Sequence, residues 1–419
     1  PRNPSGRCDA RQPVCADAKR QNRVGCCGGP AIASRLGVKL HLPFGSSQQV
    51  IEDLVAHSGD RQGPLWLLLV AERHGPQIPG LIEAARAHRL RLAGGLFPGL
   101  IHGARVLEQG LIAVPLPSGS HVAVADLSAK VDWRIEPGLA MSSRRTSAVV
   151  LIDAMAAARA TSELLEDLFD RYAHHVSHVG GGAGYADLRH EPVLFTERGL
   201  VLQGALVVQV PRAMAVQVRH GWRRVSGPFV ASRTRGHHIL EINWEPAGAF
   251  YRRQLARLCA DDGRPADFDT LRLGHPLCLG KDGGEDVIRD PMAVNADDEI
   301  VMLSAVPENS VMYLAGTTAE DLVRAAGEAA GACAADAAAS PQGLGATLVF
   351  DCFTRRGLLQ DDLSLELQAL QSAFDPTSQR PVQGVLAMGE VAASADWPIE
   401  FFNKTVVVAN LGGDADGRP

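Results

Sequence analysis

The stretch LWLLLVA, residues 65–71, is apolar without a break. A strand with one solvated face alternates apolar and polar residues, whereas a strand covered on both faces does not. These seven residues therefore predict a strand inside a layered sheet. The polar turn Arg73-His74-Gly75 follows, and IPGLIEAARAH, 78–88, has helical periodicity. RLRLAGG, 89–95, reads as a second strand, FPGLIHGARVLEQG, 97–110, as a glycine-rich loop, and LIAVPL, 111–116, as a closing strand. Strand, helix, strand is the order of a crossover that lays a helix on a sheet.

The order returns twice. SAVVLID, 147–153, predicts a strand ending in Asp153, and TSELLEDLFDRYAHH, 161–175, a helix capped by Thr161 or Ser162. VSHVGGGAGYADLR, 176–189, leads into a glycine loop, followed by strands at 193–196 and 204–210. Near the C-terminus, ATLVFDC (346–352) predicts a strand and DDLSLELQALQSAF (361–374) a helix. PVQGVLAMGEV (381–391) predicts a strand and turn, and KTVVVANL (404–411) a last strand. Each unit reads as strand, turn, helix, strand with glycine, variable excursion, strand.

A different block occupies about 221–335. Residues 223–248 alternate in strand fashion, and 244–260 predict a helix with Pro246 in its first turn. Short strands are expected within 275–281 and 286–295, and a hairpin over 299–316 around Pro307, Glu308 and Asn309. Residues 317–338 predict a helix capped by Thr317 or Thr318, with Glu320 and Asp321 in its first turn. The fold class is thus α/β (mixed α+β).

Composition narrows the function classes. The chain has 419 residues, 41 Lys+Arg and 47 Asp+Glu, for a formal charge of -6. That balance gives no electrostatic footprint for nucleic acid, and 5 % aromatic content supplies few stacking platforms. The longest apolar run, 65–71, is far short of a membrane span. Residues 1–30 hold six basic and two acidic side chains together with Cys8, Cys15, Cys26 and Cys27. Without an apolar signal core, they read as a disordered basic leader, with a thiol metal or redox site as the alternative. Cys259, Cys278, Cys333 and Cys352 sit in apolar surroundings and read as reduced thiols, which points to the cytoplasm.

Several residues could carry chemistry. The run Gly180–Gly184 lacks the spacing of a dinucleotide fingerprint and the GKS or GKT of a P-loop. It is either a place of close backbone approach or a loop whose N–H groups line a pocket. FDCFTRR, 350–356, delivers Asp351 and Cys352 at the carboxyl end of a strand, followed by Arg355 and Arg356. Ligands favour such strand ends. A structural ion pair with a buried thiol, a ligand pocket and a nucleophilic cysteine are the readings open there. His174 and His178 are four apart and share a face if the helix reaches them. One histidine also suffices as an axial haem ligand, which makes His102, His174, His175 and His178 candidates.

Taken in order, these stretches resemble the FIST family, with its FIST N-terminal and FIST C-terminal domains. The resemblance rests on HVGGGAGYADLR followed by GALVVQV, GWRRVSGPFVASRTRGHHILEINWEPAGAFY, HPLCLG with VIRDPMAVN, ENSVMYLAG, and finally FDCFTRR, QGVLAMGEV and FFNKTVVV. Trp244-Glu245 stands where the family more often shows Asp-Gly. The resemblance implies two coupled domains on mixed sheets: a leader over 1–35, a FIST N-terminal domain over 36–245, a FIST C-terminal domain over 246–412, and a tail over 413–419. It implies a bacterial cytoplasmic sensor that binds a small ligand near Gly182, Gly184, Asp187, Arg289, Asp351, Cys352, Arg355, Glu390 and Asn403. In some members the ligand is haem and the signal nitric oxide; a haem b here would take one of the four histidines as axial ligand, and the resemblance does not specify which. The partner implied is a histidine kinase or a cyclic-dinucleotide signalling protein. No catalytic residue is implied. The alternatives are an enzyme using Cys352 or the Asp351/Glu390 carboxylates on a small polar substrate, and a non-catalytic structural adaptor.

Overall fold

The computed structural model describes residues 40–58, 64–138, 146–156, 158–260, 268–281, 285–341, 343–377, 379–394 and 397–412. The expected leader with its four cysteines and the expected tail lie outside these residues.

The first unit runs β1 (Leu40–Leu42), α1 (Ser47–Ser58), β2 (Leu65–Ala71), α2 (Ile78–Ala87) and β3 (Arg91–Phe97). It then makes a hairpin, β4 (Gly99–His102) and β5 (Arg105–Leu107), before β6 (Leu111–Leu116). The second unit has β7 (His121–Asp126), β8 (Asp132–Ile135), β9 (Thr146–Asp153), α3 (Ala158–Tyr172) and β10 (Val176–Ala183). Its hairpin is β11 (Leu194–Thr196) and β12 (Gly199–Val201), followed by β13 (Gly204–Val210).

The third unit opens with β14 (Met214–Arg219) and is interrupted by an insert. The insert comprises β15 (Arg223–Arg235), β16 (His238–Ile242), β17 (Glu245–Pro246), α4 (Ala247–Ala260), α5 (Phe268–Leu271), β18 (Leu277–Leu279), β19 (Val287–Arg289), β20 (Pro291–Val294), β21 (Ile300–Met302) and β22 (Val311–Gly316). The unit resumes with α6 (Ala319–Ala339), β23 (Ala346–Cys352), α7 (Phe353–Leu359), α8 (Leu363–Phe374) and β24 (Gln383–Ala387). The hairpin β25 (Glu390–Ser394) and β26 (Trp397–Phe402) precedes β27 (Val406–Leu411).

In every unit the strands flanking the crossover helix run parallel, and the last strand returns antiparallel on the other side: β6-β2-β3, β13-β9-β10 and β27-β23-β24. The hairpins are exchanged in a cycle. The first unit's β4 pairs with β24, the second unit's β11 with β3, and the third unit's β25 with β10. Each of these three mixed sheets therefore contains strands from two units, so no unit completes its own sheet. The expected loop over 97–110 is one such hairpin.

A glycine sits at the same register in each parallel pair: Gly94 opposite Leu68, Gly180 opposite Val150, and Gly384 opposite Val349. A Cβ there would lie 2.3, 1.8 and 2.0 Å from the opposing carbonyl oxygen, so the strands approach more closely than any side chain allows. Gly180–Gly182 are consequently part of β10, not a loop.

Other expectations shift as well. The second unit's helix starts before Thr161 and ends at Tyr172, which leaves His174 and His175 past its end and puts His178 in β10. His174 and His178 share no helix face. The helix expected over 244–260 begins at Ala247, because Glu245 and Pro246 pair with β16. The expected hairpin over 299–316 is two strands on opposite sides of the β15–β16 pair: β21 joins β16 and β20, while β22 joins β15 and β18. Thr318 caps α6, its hydroxyl accepting from the Asp321 N–H at 3.2 Å. Among the described residues, no helix is long and apolar enough to cross a membrane.

Candidate functional site

Threefold repetition gives three equivalent strand ends. Counting from the glycine register, Ala71, Asp153 and Cys352 occupy the same position. The backbone repeats with them: Ala71 N–H donates to Gly110 O at 3.1 Å and Cys352 N–H to Thr405 O at 3.0 Å. The ends differ in what covers them.

The end of β9 is open. Ile152, Asp153, Ala154 and, from β10, Gly182 form one wall of a cleft of about 860 Å³. Helix α3 contributes Leu165, Glu166, Phe169 and Asp170. The insert faces them with His237, Lys281, Arg289 and the segment 303–307, and β26 adds Glu400 and Phe401. Asp153 is 4 % exposed and accepts from the N–H groups of Met155 at 2.9 Å and Gln203 at 3.0 Å. Burial raises its pKa, with those two N–H groups opposing the shift.

An ion triad ties the insert to β26 across this cleft. Glu400 accepts from Lys281 Nζ at 2.6 Å and from Arg289 Nη2 at 3.0 Å. Burial alone would raise the Glu400 carboxyl, but Arg289 and Lys281 outweigh it and hold the pKa below its ordinary value. Arg289 also donates to the carbonyls of Ala305, Ile288 and Phe401. Its guanidinium is thus largely committed to joining three segments. Ser304, on the cleft wall, reaches Asn403 behind it at 3.3 Å.

The end of β23 is closed. Arg355, fully buried, makes a bidentate pair with Glu366 (3.0 and 2.8 Å) and lies 3.3 Å from Asp351. It also donates to the carbonyls of His220, Lys404 and Leu322. One guanidinium therefore joins β23, α6, α8 and the turns beside β14 and β27. Lys404, fully buried with φ +57°, places Nζ 3.1 Å from Asp290 Oδ2, at ion-pair distance but without hydrogen-bond alignment. Glu390 accepts from the Thr405 hydroxyl at 2.6 Å and from its N–H at 3.2 Å. Burial raises Asp351 well above the ordinary carboxyl range, and the Glu366 carboxylate beside it adds to the shift. Burial, then Glu390, pushes the Cys352 thiol up to about 12. A thiol in that state is no nucleophile.

Glu390 gives the closed end a pH signature. Burial raises its carboxyl to about 8 from 4.5, although the Thr405 hydrogen bonds oppose this. The folded chain therefore holds this proton more tightly than the unfolded one. Its contribution to stability is complete below about pH 4.5 and is lost as pH rises through about 8. Glu390→Gln, a neutral isostere, should flatten that part of the profile. Urea midpoints across this window should fall less steeply for the variant than for the wild type; equal slopes would refute the assignment.

The expected ligand residues thus divide. Gly182 and Arg289 line the cleft. Asp351, Cys352, Arg355, Glu390 and Asn403 lie in the interior, each at most 3 % exposed, and do not line it. Gly184 is buried, where a Cβ would meet the Met388 sulfur at 2.6 Å. Asp187 is exposed and pairs with Arg189 at 2.9 Å.

The four histidines also separate. His102 is on β4 beside His41, with ring centroids 4.9 Å apart. His174 and His175 are exposed. His178 is 1 % exposed, and burial lowers its pKa to about 4, with the Val176 backbone opposing the shift. None lines the cleft, so these residues do not fit a haem seated there on one of them.

Sequence reasoning did not single out Glu166, Asp170, His237, Lys281 or Glu400 as site residues. Asp153 carried the signal used for Cys352, a polar residue ending a buried strand. Glu400 lies in WPIEFF, an acid within an otherwise apolar strand.

No curated protein matches the chain. Family profiles match it as a FIST N domain over residues 65–245 and a FIST C domain over 247–393. Between them they span most of the chain, and the protein belongs to the FIST family.

Proposed function

We propose that this protein is a sensor without catalysis of its own, and that the cleft at the end of β9 holds its small ligand. The observation that carries this reading is the position of the cleft, between the second unit and the insert. FIST domains are in general small-ligand sensing domains of signalling proteins. Occupancy would bias the position of the insert against α3 and β26, and a partner such as a histidine kinase or a cyclic-dinucleotide enzyme would read that change. The thiol-enzyme alternative finds little support, because Cys352 is 3 % exposed and its thiol is pushed up to about 12.

Native mass spectrometry of the untreated full chain tests the reading, with Ala305→Trp as a cleft-filling comparison. Ala305 lines the cleft, and its carbonyl accepts from Arg289. The wild type should carry a small-molecule adduct that Ala305→Trp lacks. An adduct retained by the variant, or a wild type that neither carries one nor is stabilised by metabolite extract, would overturn it.

A further inference from the structure

Apolar residues line the cleft from three sides. Leu165 and Phe169, four residues apart, share one face of α3. Ile399 and Phe401, two apart, share one face of β26. The insert adds Leu303 and Val311, which are 43 % and 47 % exposed. Exposed apolar side chains scattered singly are ordinary, but apolar residues gathered in a concave place with a polar rim mark a ligand groove. The rim on α3 is Ser162, Glu166 and Asp170, all exposed.

The charges deeper in the cleft are already matched. Each Asp153 oxygen accepts a backbone N–H, at 2.9 and 3.0 Å. Glu400 holds Lys281 at 2.6 Å and Arg289 at 3.0 Å, and Arg289 also donates to three carbonyls. An anionic ligand would have to draw a cation away and leave the Glu400 carboxylate stranded, which is costly. A cationic ligand would meet Glu400 already shared between two cations. The acids at the rim stand in water, where an ion pair contributes little.

We propose that the cleft binds an uncharged, mainly apolar molecule, packed between the Leu165/Phe169 face of α3, the Ile399/Phe401 face of β26, and Leu303 with Val311 of the insert. This rests on the cleft being the ligand site. The driving force is apolar surface removed from water on both walls, and the Lys281–Glu400–Arg289 triad stays intact. Contact with the insert and α3 together is also what lets a ligand favour one position of the insert over another.

Fluorescence titration of the full chain with N-phenyl-1-naphthylamine, a neutral dye that brightens in apolar surroundings, tests this. The dye should bind saturably to the wild type and not to Ala305→Trp. The competitors 1-decanol, decanoate and decylammonium share one chain and differ in charge. Decanol should displace the dye at about tenfold lower concentration than either ion, because a buried charge without a partner is penalised. Leu303→Asn and Val311→Thr are close in size to the native residues and stand at half-exposed positions, where substitution costs the fold little. Each should weaken dye binding by about threefold or more, through lost apolar burial. No saturable dye binding would overturn the proposal, as would equal or better displacement by either ion, binding unchanged in both variants, or binding kept by Ala305→Trp. If the wild-type adduct is still lost in Ala305→Trp, each of those results leaves the sensor reading standing. If it is not, both readings fail.

Discussion

Arg355→Met should lower the stability of the folded chain by about 3–5 kcal/mol, the range for removing one partner of a buried ion pair. Arg355 is fully buried, as are Glu366 and Asp351. Methionine fills most of the volume but leaves the Glu366 carboxylate without its two donors at 3.0 and 2.8 Å. It also strips the carbonyls of His220, Lys404 and Leu322 of their guanidinium donor. Arg355→Lys should recover little, because an ammonium cannot reproduce the planar fork. Arg355→Met combined with Glu366→Leu should be milder than Arg355→Met alone, because Asp351 alone, and not Glu366 as well, then loses its cation. Urea unfolding measures all three. A loss below about 1 kcal/mol for Arg355→Met would show that the guanidinium is not the tie between these elements.

That result also separates two meanings of a polar residue at a strand end. Asp351 and Cys352 were conspicuous in the sequence because an acid and a thiol end a buried strand and two arginines follow. The same signal, Asp153 ending SAVVLID, marked the open cleft. What distinguishes them is what covers each end: Arg355, Glu366 and Lys404 at one, the faces of α3 and the insert at the other. Arg355 is a sequence neighbour of Asp351, but Glu366, Lys404 and the insert are not, so the local pattern leaves open which end is plugged.

The strands and helices were more legible. The apolar runs within 65–71, 147–153 and 346–352 are strands, because burial on both faces leaves no alternation to misread. The excursions between strands were legible as positions but not as structure. They are the exchanged hairpins, whose partners belong to other units. Short strands such as Gly99–His102 have too few residues to show a period, and their pairing is entirely non-local. The charged walls of the cleft were hidden in the same way. Glu166 and Asp170 read as a solvated helix face, and both are exposed; the insert opposite, remote in the chain, is what makes that face a cleft wall.

The glycine register carries the other large expected effect. Gly180→Ala should cost at least about 3 kcal/mol, the upper end for forcing extra volume into a packed interior, and should sharply reduce the folded yield. Its Cβ would lie 1.8 Å from Val150 O, and a backbone carbonyl held in a sheet cannot rotate aside. Gly384→Ala, at 2.0 Å from Val349 O, and Gly94→Ala, at 2.3 Å from Leu68 O, should follow in decreasing order. Gly357 is the counter-case: it lies in α7, and an added Cβ meets nothing within 4 Å. Gly357→Ala should therefore be neutral or stabilising by up to about 1 kcal/mol, from the helix preference for alanine. Thermal melts and soluble yields of the four variants give the ranking directly. If Gly180→Ala melted with the wild type, β9 and β10 could not approach as closely as described. The shared register, and with it the equivalence of Asp153 and Cys352, would then have no physical basis. If the three strand variants fail while Gly357→Ala does not, close approach at one register is what makes the three units alike, despite their slight sequence similarity.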